Sequence, residues 1–209
     1  MKLATIRKAG RYVLSSVVLV FVLGTLASAA EFKADIVQKV GGDTIYQKLF
    51  VKNDMERNEI SAPTGKQLII VRFDKRVVWV LNQTNKTYAE TPISPKVRMG
   101  SLWPQLAKFN KSVKKVGTET VKGYVCDKYR LNGAIKTLDG KSSSANGMSW
   151  VSQKLNRDMK ADMSTNAVKV IVEVQSVKEG KQPDSLFEIP KGYKKASVPA
   201  APPATPKHK

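Results

Sequence analysis

Histidine is all but missing from this chain: among 209 residues there is one, His208, next to last. No Ser-His-Asp arrangement and no histidine-bearing metal centre can therefore be assembled on the body of the protein. Cysteine is equally scarce. Cys126 stands alone, so it makes no intramolecular disulfide and no cysteine-based metal site. It lies in the strand-like run VKGYVCDKYRL and is expected to be a buried small hydrophobe. Acidic residues number 17 against 36 basic ones, and aromatics make up only 7%. The basic residues alternate along strands, as in KVIVEVQSVK, and do not interleave with aromatics. A base-stacking groove for nucleic acid is thereby excluded.

Long apolar runs are also rare. There is one, Tyr12 to Leu26, of fifteen residues. It is short for a bilayer span, which needs about twenty. It is preceded by Lys2, Arg7, Lys8 and Arg11 and followed by Ala27-Ser28-Ala29. That order of positive, apolar and small-x-small segments predicts a cleavable secretory signal over residues 1–29, cut between Ala29 and Ala30. With no cysteine at the cut, the expected product is a soluble periplasmic protein without a lipid anchor.

The formal charge is +19, and removing the four basic groups of the leader leaves +15. Residues 194–209 (KKASVPAAPPATPKHK) carry four lysines and no acid, which leaves +11 on residues 30–193. This tail has no periodicity and reads as a disordered extension. The body is attracted to anionic surfaces, which outside the cytoplasm means membrane or other envelope components. The plainer reading is a solvated face whose charge maintains solubility.

Residues 30–193 have the length of one domain. Ala167 to Val177 alternates with Val168, Val170, Val172 and Val174 on one side, and Glu31 to Val40 behaves likewise. Leu68–Phe73 and Val77–Leu81 are apolar on nearly both faces, which predicts a sheet covered on both sides there. Turns are expected at Asp74–Arg76, at Asn82–Asn85 and at Lys122-Gly123. Asp139 to Gly147 reads as a flexible loop. Met99, Leu102, Trp103, Leu106 and Phe109 recur at helical spacing, with Ser101 as N-cap and Pro104 in the first turn. The predicted fold is mainly β (α+β with few helices): a curved antiparallel sheet of roughly eight to eleven strands. It forms an incomplete barrel with that short helix as lid or plug.

No catalytic constellation emerges. Glu56 and Glu59 fall on opposite faces of a strand and read as exposed charges. Gly41-Gly42 and Gly140 precede no phosphate-binding helix, and Ser142-Ser143-Ser144 has no base beside it. Trp79, Trp103 and Trp150 are expected in the core. A non-enzyme without cofactor or metal is predicted.

Three segments carry a family resemblance: VRFDKRVVWVLNQTNKTYAE (71–90), VGTETVKGYVCDKYRL (116–131), and SVKEGKQPDSLFEIPKGY (176–193) with its LFEIPKGY end. With WVSQKL (150–155) they make the chain similar to the lipoprotein-carrier-like (LolA/LolB-type) superfamily, in an uncharacterised DUF4412-like branch. The resemblance implies a half-barrel around an apolar cavity closed by helices, which in the carriers holds acyl chains. Arg72 then reads either as the arginine that grips a lid or as a solvent-facing strand-edge residue. The expected ligand is a lipid, acyl chain or lipoprotein. Its walls would be Ile69, Val71, Phe73, Val78 and Val80, and its lid Met99, Leu102, Trp103 and Leu106. The alternative is a structural envelope protein whose helix fills the cavity permanently while its basic surface docks on an anionic component. A monomer that binds no nucleic acid is expected in either case.

Overall fold

A computed structural model of the chain describes residues 31–95, 97, 99–136 and 142–196. The expected signal segment with its Ala29/Ala30 cut, and the tail beyond Ala196, lie outside these residues.

Strand formation follows the two-residue alternation. In β1 (Phe32–Val40) every second side chain is buried, and β2 (Asp43–Lys52) and β3 (Met55–Ala62) repeat the pattern. β4 (Gly65–Arg72), β5 (Val77–Asn82) and β6 (Thr87–Pro92) complete a first meander. A crossover carries the short helix α1 (Trp103–Phe109) into a second meander. Its strands are β7 (Val113–Val121), β8 (Tyr124–Lys136), β9 (Ser142–Ser152), β10 (Asp158–Thr165) and β11 (Lys169–Glu179). A single 3-10 turn (Asp184–Phe187) and the two-residue β12 (Lys194–Lys195) follow.

The twelve strands form one sheet in the order β12-β6-β5-β4-β3-β2-β1-β11-β10-β9-β8-β7. The meanders are joined where β1 pairs with β11, and only β12 on β6 runs parallel. The end strands β12 and β7 do not meet, so the barrel is incomplete, as expected. Lys194 and Lys195, expected to open the disordered tail, instead pair with Thr87 and Tyr88, which takes the strand number beyond the predicted eleven. Bulges at Asp35/Ile36, Lys115/Gly117 and Asp158/Lys160 add local bend and twist.

The turns match their residues. Arg76, Lys86, Lys122 and Gly123 have positive φ, and the paired values at Lys122 and Gly123 (48° and 82°) are those of a two-residue hairpin turn. Where a loop was expected over Asp139–Gly147, β9 already begins at Ser142 and pairs with the far half of β8. Ladder bonding there outweighs the poor strand propensity of serine, asparagine and glycine. Gly147 is required by packing, since a Cβ would lie 2.4 Å from the Asp162 carbonyl oxygen on β10.

Cross-strand register places Val78 and Val80, Ile69 and Val71, Ile60, Leu49, Ile36, Val172 and Ala161 on one continuous inner face. Most of these belong to the largest apolar cluster, which also takes in Phe32, Phe73, Met99, Leu155 and Met159. The opposite face of β4 and β5 holds Leu68, Ile70, Trp79 and Leu81 around the fully buried Phe187. Both faces are thus covered there, as the sequence predicted, but the helix covers neither. Inner-face residues Ile69 and Val71 share their cluster with Ile93 and Met99 of the crossover loop, while the outer face lies under the C-terminal segment. Helix α1 packs on the other end of the sheet, with Trp103 against Val113, Tyr129, Leu131, Ala145 and Val151.

Candidate functional site

A cavity of about 40 Å³ lies between the inner face and the β9–β10 turn. Its floor comes from three neighbouring strands: Phe32, Ala34 and Ile36 of β1, Leu49 of β2, and Val172, Val174 and Val177 of β11, the last brought into line by the bulge at Asp35/Ile36. Leu155, Arg157, Asp158 and Met159 form its roof. These come from the segment that leaves β9 and enters β10, held by the Asn156 amide donating to the Ser152 carbonyl at 2.8 Å.

Polar side chains interrupt this apolar surface at positions that alternation would otherwise fill with aliphatics. Gln38, Gln47, Asn58 and Glu56 are all buried, at 2%, 8%, 1% and 2% exposure. Gln38 Nε2 donates to Gln47 Oε1, and Gln47 Nε2 donates to Asn58 Oδ1, forming a diagonal strip across β1, β2 and β3. The strip ends at Glu56, whose carboxylate accepts a hydrogen bond from the Arg157 guanidinium. Two ends stay open among the described residues. Gln38 Oε1 has no hydrogen-bond partner, and Asn58 Nδ2 makes no well-formed bond although Asn58 lies near enough to Glu56 to favour its charge.

Burial pushes the Glu56 carboxyl above its usual range, against the pull of Arg157 and Asn58. Burial also raises Asp158, which Ser149, Ser101 and Arg157 oppose. The expectation that Glu56 is an exposed strand charge is therefore wrong. Position 56 faces inward with Asn58 and Ile60, and Arg157 from the other meander compensates it. No local signal marks this pairing, because the two residues are 101 positions apart.

The expected ligand-binding residues divide between two places. Ile69, Val71, Phe73 and Met99 share the cluster that contains the cavity floor, with Val78 packed against it. Val80 is half-buried on the same face. Trp103 belongs to the separate β7–β9 cluster, Leu102 is half-buried at the helix start, and Leu106 is 37% exposed. Ser101 is one residue early as a cap: its Oγ accepts from the Trp103 amide at 3.3 Å, and Leu102 occupies the N-cap position.

Arg72 neither faces solvent nor touches the helix. It is buried, donates to the Phe187 carbonyl at 3.1 Å and pairs with Glu188 and Asp74, so it grips the C-terminal segment. Lys52 and Arg57 reach the same segment through the Gln182 and Leu186 carbonyls, both at 3.1 Å. Cys126 is fully buried, and burial pushes its thiol up to about 11. All three tryptophans are buried. Trp150 lies between Lys128 and Lys160 at 5.0 and 4.9 Å and donates to Glu119 at 2.8 Å. Among the described residues no three His, Cys, Asp or Glu side chains converge as metal ligands, and no helix is long and apolar enough to cross a membrane.

Residues 35–157 match the family described as a domain of unknown function, DUF4412. The chain belongs to that family. The DUF4412 branch expected from the motifs is thus the one found, with 71–90, 116–131 and 150–155 inside the match and LFEIPKGY beyond it. No curated protein matches the sequence. Among solved structures, an uncharacterized conserved protein from Thermus thermophilus shares the fold. It is 10% identical, with a TM-score of 0.54 over 90% of this chain and 98% of that one. The MucA/MucB complex of Pseudomonas aeruginosa is similar at 14% identity and a TM-score of 0.49, covering 75% of this chain and 55% of that chain. A LolA superfamily protein from Nitrosomonas europaea is similar at 10% identity and a TM-score of 0.42, over 78% of this chain and 91% of its own.

Proposed function

We propose that this DUF4412 protein is exported by its leader to the periplasm as a soluble, non-enzymatic binder of an apolar group. The group would be a lipid, an acyl chain or the acyl part of a lipoprotein, sheltered on the inner face of the half-barrel. The observation that carries this reading is an apolar floor roofed by a turn that one ion pair, Glu56–Arg157, ties down. As closed, the cavity of about 40 Å³ has room for a few water molecules, far below the roughly 300 Å³ or more of a ligand pocket. Binding a chain therefore requires the β9–β10 turn to lift. The floor then continues into Ile69, Val71, Phe73, Val78 and Val80, with Met99 at its rim. Each buried methylene contributes about 0.8 kcal/mol, so a few suffice for measurable affinity. Organic extraction of the purified mature protein, together with titration by a fluorescent fatty acid, tests this. Co-purifying lipid or saturable binding is expected, and the absence of both rejects the reading.

The small closed volume favours a second reading. In it the interior stays filled, Trp103 plugs the β7–β9 end, and the protein acts through its basic surface on an anionic envelope component.

A further inference from the structure

The cavity wall carries more polarity than an aliphatic chain requires. Gln38 and Asn58 are each almost fully buried, line the cavity, and end the amide strip with one unpartnered acceptor, Gln38 Oε1, and one donor without a well-formed bond, Asn58 Nδ2. An unmade hydrogen bond in such a place costs more than a made one contributes. Reversing all three amides would exchange the two ends and still leave one donor and one acceptor. It would also turn Asn58 Oδ1 toward the Glu56 carboxylate, which supports the orientation described.

Resting on the reading that this cavity takes an apolar ligand, we infer that it selects chains bearing a neutral group that both donates and accepts, an amide or a hydroxyl, seated on the Gln38–Gln47–Asn58 strip. The amide N–H donates to Gln38 Oε1, and the ligand's carbonyl faces the donor end at Asn58. An ester offers no donor to Gln38. A carboxylate meets Gln38 Oε1 with like polarity and approaches Glu56, whose charge Arg157 already balances. A site built to hydrogen-bond one group discriminates strongly against analogues that lack it, because its own polar atoms are then left unpaired.

The test uses purified mature protein, a fluorescent apolar probe, and decanamide, methyl decanoate and decanoate as competitors. Decanamide is expected to displace the probe about tenfold more tightly than the ester of equal chain length. The Gln38→Leu variant is expected to lose that preference, whereas Asn58→Leu, which removes the donor that either carbonyl faces, is expected to weaken amide and ester alike and to keep it. Thermal unfolding establishes that each variant is folded, and the wild-type comparison decides even if neither is. Equal affinity for amide and ester, or a preference that survives in folded Gln38→Leu, overturns the inference while leaving the apolar-binding reading intact. Failure of all three competitors and the probe to bind overturns both.

Discussion

Glu56 and Arg157 tie one meander to the other across the inner face, at side-chain exposures of 3% and 12%. Removing one partner of a buried pair leaves a charge without compensation, which costs more than the pair itself contributes. Arg157→Leu is expected to destabilise the fold by roughly 3 kcal/mol at neutral pH, read by urea unfolding. The loss should shrink toward acid, where Glu56 takes up a proton. The sign follows from the raised folded pKa. Stability that Glu56 contributes is fully present below its unfolded value near 4.5 and is lost as pH rises through the folded value. Glu56→Gln should therefore gain on wild type as pH climbs from 4.5 to 7.5. No gain in that window would show that Arg157 compensates the carboxylate fully. Asp74, held below its usual range first by its hydrogen bond from Arg72, acts in the opposite sense and loses its contribution as pH falls through its folded pKa.

Among the elements, the C-terminal segment has the clearest structural duty. Its sequence, LFEIPKGY, was legible as a family motif, but its role was not, because a 3-10 turn with flanking coil has no periodicity. Phe187 fills the outer-face cluster of Leu68, Ile70, Trp79 and Leu81, while Leu186, Ile189 and Tyr193 pack at its rim. Phe187→Ala is expected to cost about 3–5 kcal/mol. The denaturation midpoint should fall accordingly, and binding of a dye to the bared outer face should rise. A loss below about 1 kcal/mol would mean that the segment is not a structural cover. Helix α1 shows the opposite pattern. Its spacing was legible, yet its position was not, since a seven-residue amphipathic helix fits any apolar face within reach. Only the length of the crossover and the Trp103 contacts place it on β7–β9 and away from β4–β5.

For the whole molecule, the excess of base over acid leaves many surface lysines without a carboxylate. Interaction with anionic vesicles is therefore expected to be long-range and screened. Sedimentation with anionic vesicles should show binding at about 0.02 M salt that is gone by about 0.5 M, where the screening length falls to a few Å. Binding that persists at high salt would point to insertion of apolar side chains instead. The same molecule failing to bind an apolar probe would favour the envelope-docking reading.

Class, strand alternation, hairpin turns and the burial expected of Cys126 were determined by the sequence itself. Each depends on near neighbours: a period of two, a residue pair tolerating positive φ, a lone thiol in a strand-like run. Tertiary structure alone decided which faces are covered and by what. It also decided that Arg72 grips the C-terminal segment, and that Glu56 lies inside with a partner from the other meander. Those outcomes depend on how a long sheet curls, which sums small twists and bulges over twelve strands. The near absence of histidine left no catalytic triad to look for, and the curl of the sheet assembled in its place a polar strip in an apolar cavity.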